Sequence, residues 1–299
     1  MEPRALIQSD VLQCGWDTAP YLLFSDNVFS PLIYYSHLVP AIAGLLLAFM
    51  VWRQKQNVLL NNLFIGLALA FSLWCLIDLS LWAHESPDYI MFGWSILAYI
   101  EPLIYLGSAY LLYAFVSGKD APLWMKIIAL LLYLPAIVFS PSSLNLTAFS
   151  YQDCEREALE GPLWYYLYSV EIIVIAWMTL FLITKSLTKK ITTSRTQMLL
   201  LGIGLILFLI AFSWGNIVGS FSEDWALAQY GLFGMPIFLG AVIYLIVQFQ
   251  TFRIRVLGVT AMVFTLLVLL FSLLFLQTID SARPVIIVTL ILFALIGYL

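Results

Sequence analysis

Residues 58–83 read VLLNNLFIGLALAFSLWCLIDLSLWA, an apolar run with one charge, Asp78, and no proline. A helix needs roughly 20 such residues, within a range of about 17–25, to cross the hydrocarbon core of a bilayer. No stripe of charge recurs along the run, as it would on the watered face of a soluble helix, so it reads as a transmembrane helix. Working outward, the same reading places further spans at 31–52, 90–117, 122–141, 162–184, 197–219, 228–250, 256–279 and 284–299. Turn and breaker residues separate them, among them Pro87, Gly118, Pro122, Pro141, Gly161, Pro162 and Pro284. The fold class is therefore all-α, a polytopic transmembrane bundle of about nine spans.

Composition agrees. The 299 residues are 63% apolar and 10% charged, with a mean hydropathy of +0.99, whereas a soluble domain carries about a quarter charged residues. Lipid is the solvent that suits such a chain, and the bilayer is its first expected partner. No basic run, no aromatic-plus-basic pattern and no Cys/His zinc spacing points to nucleic acid. Residues 1–24 lack a basic end followed by a long apolar core, so no cleavable signal peptide is read there.

The loops alternate in charge. Arg53, Lys55, Lys119, Lys126, Lys185, Lys189, Lys190, Arg195, Arg253 and Arg255 fall on one side, and only Arg4, Arg156 and Arg283 on the other. That division of ten against three uses all thirteen basic residues. The excess of Lys and Arg marks the cytoplasmic side, which puts the N-terminus outside and the C-terminus in the cytoplasm. Three regions follow: an extracytoplasmic tail over 1–30, a seven-helix bundle over 31–255, and two further helices over 256–299. The last span, Pro284 to Leu299, stops without a polar flank, so a cytoplasmic output domain is expected beyond it. Labelling introduced cysteines from outside intact cells is expected to mark loops 84–89 and 142–161 and to spare 185–196. Marking of 185–196 would reverse the orientation.

A charge at bilayer depth costs at least ~2.5–3.5 kcal/mol on insertion scales, so each one asks for a reason. Three acids fall inside spans: Asp78, Glu101 and Glu171. At a rise of 1.5 Å per residue they lie roughly 8, 16 and 13 Å from the outer ends of their helices, with His37 at about 10 Å. All four occupy the outer half of the membrane on four different helices. The only Lys or Arg within a span is Lys126, near the cytoplasmic end, so none is placed to pair with them, and at least one of Glu101 and Glu171 is expected to hold a proton. Two readings stay open. One is a polar pocket open to the outside, formed by Glu101, Glu171, Asp78 and His37 with Trp94 and Tyr99, accepting a proton, a cation or a small polar ligand. The other is a set of protonated carboxyl groups that bind helix to helix. Pro102 follows Glu101 and removes one helix hydrogen bond.

Trp82, Trp124, Trp164 and Trp225 stand near span ends, where an interfacial belt explains them. Trp74, Trp94, Tyr99, Tyr105, Trp177 and Trp214 lie deeper, as packing or as pocket lining. Gly215 and Gly219 form a small-xxx-small pair beside Asn216, a helix-contact signal. Cys75 is within a span, while Cys14 and Cys154 share the outer, oxidising side and form a disulfide candidate, with two free thiols as the alternative. Asn145-Leu146-Thr147 matches a glycosylation sequon. No catalytic motif, nucleotide loop, retinal lysine or metal-ligand spacing is found, and no cofactor or metal is implied. Matched pairs of broken helices, the mark of many secondary transporters, are not found either.

The end of the seventh span, GMPIFLGAVIYLIVQFQTFRIR from Gly234 to Arg255, has a Gly-Pro start, an aromatic and β-branched run and a basic-aromatic end. With the basic loop Lys185 to Arg195 leading into Gln197, it resembles the N-terminal seven-helix sensing region of bacterial membrane histidine kinases. Met235 intervenes between Gly234 and Pro236, and Gln248 and Gln250 stand where that family often has basic residues. The resemblance implies a sensory role in a bacterial plasma membrane, passing an external or membrane stimulus to a cytoplasmic kinase, and a homodimer by analogy. The chain itself would hold no catalytic residue, since its two histidines, His37 and His84, both lie outward of the cytoplasm. The alternative function is a secondary transporter or ion-coupled permease using the buried carboxylates.

Overall fold

The computed structural model describes residues 16, 21–28, 30–52, 58–150, 156–187, 194–222, 287 and 291. Six helices and one short hairpin occupy them: α1 Pro31–Trp52, α2 Val58–Ala83, α3 Pro87–Ser117, α4 Leu123–Phe139, β1 Leu146–Ser150, β2 Glu157–Glu160, α5 Pro162–Leu187 and α6 Arg195–Ser222. Proline opens α1, α3 and α5, where its missing N–H costs nothing and its fixed φ suits the first helical residue. Each helix follows its expected span to within a few residues. The expected spans 228–250, 256–279 and 284–299, the stretch from Gly234 to Arg255, and Cys14 and Cys154 lie outside the described residues.

Five of these helices, all but α4, are long and apolar enough to cross a membrane. The chain is a membrane protein built as a helical bundle. Its outer faces carry Ile42, Leu45, Phe49, Leu69, Leu73, Ile172 and Ile173, all exposed, which lipid can cover. The inner faces differ by being smaller and more polar, with Ser36, His37, Ala41, Gly44, Ala68, Ser72 and Cys75 buried between α1 and α2. At Gly44 the helices approach so closely that a Cβ would meet Ser72 Oγ at 2.6 Å. Ser72 Oγ in turn donates to the carbonyl of Ala41 at 2.9 Å. Without a hydrophobic force between helices in lipid, small residues and interhelical hydrogen bonds of this kind hold a bundle together.

The third helix is the hub, since it packs against α2, α4, α5, α6 and both strands. It runs unbroken through Pro102. The fourth is peripheral: of its 17 residues only Ala136 is buried. At the α3–α4 turn Lys126 Nζ donates to Asp120 Oδ2 at 2.6 Å, and the Tyr110 hydroxyl donates to the other carboxylate oxygen. The Lys126 hydrogen bond, and then that of Tyr110, holds the exposed Asp120 carboxyl below its usual range. A lowered carboxylate contributes stability above its unfolded-state value and loses it as pH falls through the folded one.

The hairpin was not foreseen. β1 and β2 pair antiparallel, with Phe149 opposite Ala158 and Ser150 opposite Glu157, and the register shifts between Leu146 and Ala148. Asn145, at its base, is fully buried, donating from Nδ2 to Ser140 O at 2.9 Å and to Ser95 Oγ at 3.1 Å. A buried asparagine cannot carry a glycan, so the sequon is silent in this fold. Arg156 ties the hairpin to the end of α2: it donates to the carbonyls of His84 and, at 2.8 Å, Trp82. Its guanidinium also lies 4.0 Å from the centroid of the Trp16 ring. A Cys14–Cys154 bridge, the disulfide candidate of the outer side, lies outside the described residues. Non-reducing mass analysis of the protein purified without thiols is expected to find that bridge. Complete alkylation of both thiols before reduction would rule it out.

Candidate functional site

Two polar clusters are buried among these helices, one turn apart along α2. The first sits between α1 and α2. His37 Nδ1 lies 2.7 Å from the carbonyl oxygen of Ile33, and a carbonyl only accepts, so this nitrogen carries a proton. The other ring nitrogen, Nε2, lies 2.7 Å from Asp78 Oδ2, and Trp82 Nε1 donates to that same oxygen at 3.2 Å. One proton lies between imidazole and carboxyl whichever group it is assigned to, so the pair is neutral as a whole. The imidazole is sealed and the carboxyl side chain 12% exposed. A buried charge needs a partner, and here each supplies the other's.

The second cluster lies deeper and joins four helices. Glu101 of α3 and Glu171 of α5 are 1% and 2% exposed, and their carboxyl groups lie within hydrogen-bonding reach of one another. Trp74 Nε1 of α2 donates to Glu101 Oε2 at 3.2 Å. Ser213 Oγ of α6 donates to Glu171 Oε2 at 2.8 Å. Because that hydroxyl proton is spent on Glu171, the Tyr105 hydroxyl, 2.7 Å from Ser213 Oγ, is the donor to it. The result is a directed chain, Tyr105 to Ser213 to Glu171, with Glu101 and Trp74 at its far end. Glu171 Oε1 has no hydrogen-bond donor among the described residues. Around the chain stand aromatic rings: Phe212 packs edge-on to Trp74 at 4.7 Å between centroids and lies 5.9 Å from Tyr105. Phe71 meets Phe208 at 5.2 Å.

Both acids thus point into the bundle, away from lipid. Each is almost fully buried, so the packed helices enclose the pair. Trp94, two turns from Glu101 on α3, packs against Trp164 at 6.0 Å and forms a roof toward the hairpin. On the same side Tyr168 donates to Glu160 Oε1 at 2.7 Å, and the charge of Glu160 acts on Glu101. Tyr99 does not join them. It stands about 200° around α3 from Glu101, half-buried and turned toward Tyr133 of α4. Trp214 is exposed, and Trp177 stacks on Phe181 at 5.2 Å away from the acids. Ser213 was not anticipated; its one signal is its place beside Gly215 and Asn216 in a largely apolar helix.

Among the described residues no three His, Cys, Asp or Glu side chains gather closely enough to hold a metal ion. Set against protein-family models, curated proteins and solved structures, the chain matches none. Its chemistry is read from these two clusters alone.

Proposed function

We propose that this chain is the multi-pass sensing region of a signal-transducing receptor in a bacterial plasma membrane, of the type that precedes a cytoplasmic histidine kinase, and that it works as a homodimer. The observation that carries this reading is the meeting of four helices on one pair of acids. A change in what Glu101 and Glu171 hold alters contacts to α2, α3, α5 and α6 together, which is how a local event shifts a bundle between two packings. The excess of basic residues on the side away from the hairpin supports a hairpin facing out, with Trp94, Trp164 and Glu160 between the site and the exterior. The closing pattern from Gly234 to Arg255 supports the kinase-type output. The remainder of the bundle, to about nine spans with the C-terminus inside, would carry the shift to that output.

A transporter is the second reading, favoured by the same acids, since intramembrane carboxyl groups also mark ion and proton pathways. The two are separated by assaying membrane vesicles that hold the full-length protein. The sensing reading expects ATP-dependent phosphorylation of the protein, with a level changed at least several-fold by Glu101→Gln. Proton or solute flux that Glu101→Gln abolishes, with no phosphorylation, would replace it with transport.

A further inference from the structure

The acid pair has a ligand that its own geometry names. Two carboxyl groups face one another, and each of the outer oxygens, Glu101 Oε2 and Glu171 Oε2, already accepts from Trp74 or Ser213. Of the two oxygens left over, Glu171 Oε1 belongs to a residue 2% exposed and finds no N–H or O–H donor among the described residues. The two carboxyl groups lie within hydrogen-bonding reach of one another, and neither can donate to the other unless it bears a hydrogen. An acceptor without a donor in a dry site is costly, because its lone pair has lost its water without gaining a hydrogen. One hydrogen between the two carboxyl groups removes that cost. It also reduces two negative charges to one, and two carboxylates sharing a site repel unless one is neutral.

A metal ion fits this site poorly. Hard divalent cations such as calcium and magnesium gather six or more oxygens. Here two of the four carboxyl oxygens are engaged, Ser213 and Tyr105 are committed in series, and Phe212 and Trp74 fill the space beside them. Among the described residues, Glu160 of β2 and Tyr105 of α3 act on the pair, and neither supplies positive charge. His37 on α1 is spent on Asp78, one turn further along α2. Among the described residues, the remaining charge on the pair is met by two direct donors, Trp74 and Ser213, the second backed by Tyr105.

We infer that Glu101 and Glu171 form a binding site for a single proton, held as a carboxylic acid hydrogen-bonded to a carboxylate. Losing it leaves two anions side by side with Trp74 and Ser213 as their direct donors, a state that the present packing of α3 against α5 does not suit. This deepens the sensing reading by naming the site's ligand, and it can stand or fall by itself.

Infrared difference spectroscopy on the full chain in nanodiscs tests it. The wild type at neutral pH is expected to show the carbonyl stretch of a protonated carboxylic acid, shifted to lower frequency in heavy water and lost at alkaline pH. Glu101→Gln and Glu171→Gln should each abolish that band, and Asp78→Asn should leave it. Adding sodium or potassium chloride at constant pH should not change it. A wild-type spectrum without the band overturns the inference whatever the variants do. So does a band that only Asp78→Asn removes, or one that salt removes with release of protons, which would make the pair a cation site. Phosphorylation unaffected by the variants, with the band behaving as described, would remove the sensing reading and leave the proton site.

Discussion

Glu101→Leu is expected to destabilise the bundle by about 2–4 kcal/mol, while Glu101→Gln costs less than about 1 kcal/mol. Leucine leaves the Trp74 indole N–H without its acceptor and the Glu171 carboxyl facing a methyl group. Each orphaned buried group costs about 1–3 kcal/mol. A single interhelical hydrogen bond in a membrane protein averages only about 0.6 kcal/mol, because the unfolded chain in the bilayer finds other partners; a stranded carboxyl finds fewer. Glutamine keeps the size of a protonated glutamate, accepts from Trp74 and donates to Glu171, but it cannot lose a proton. Reversible unfolding in mixed micelles measures both. Equal stability of the Leu variant and the wild type would show that the acids do not bind helix to helix, and a Gln variant as weak as Leu would show that the charge itself is required.

Gly161→Ala is expected to be the most damaging single methyl in the described chain. A Cβ there would run into the carbonyl oxygen of Leu144 and lie 2.7 Å from its carbon and 2.9 Å from the carbonyl oxygen of Asn145. All three atoms are backbone, so no side chain can turn aside. The same glycine donates its N–H to Asn145 O at 2.6 Å, and Leu163 N–H bonds Leu144 O at 2.9 Å, so the base of the hairpin is knotted onto the start of α5. Overpacking of this kind costs about 1–3 kcal/mol and occasionally more. The control is Gly66→Ala, mid-helix with nothing within 4 Å of its Cβ, where alanine is expected to stabilise by about 0.5–1 kcal/mol. Limited proteolysis of the 142–161 segment should speed up in Gly161→Ala alone. Equal cleavage in both variants would mean that the hairpin is not seated as described.

The helices were legible because lipid makes apolar length decisive, and α2 shows it: one charge in 26 residues leaves few other structures open. The hairpin was not legible, because Glu157 and Glu160 break the apolar alternation of a short strand and its partner is decided by burial of Asn145 beneath it. The acids announced themselves by their insertion cost, and their inward aim follows from it. Their partners did not. Pairing His37 with Asp78, or Ser213 with Glu171, depends on how each helix is turned about its axis, and a run apolar on every side carries little record of that rotation. Tyr99 shows the same limit, since it shares a depth with Glu101 but faces another helix.

One property of α2 follows from the spacing of its two contacts. Trp74 and Asp78 are four residues apart, about 6 Å along the axis and about 40° around it. One reaches α3 and the other α1. Side-chain tips sit about 5 Å from a helix axis, so turning α2 by about 20° sweeps each tip through nearly 2 Å. A hydrogen bond near 3 Å does not survive that stretch. The helix is in effect pinned by two spokes against twisting, and any torque that frees one spoke frees the other. Any rotation of it would therefore register at once at its seams with both neighbours.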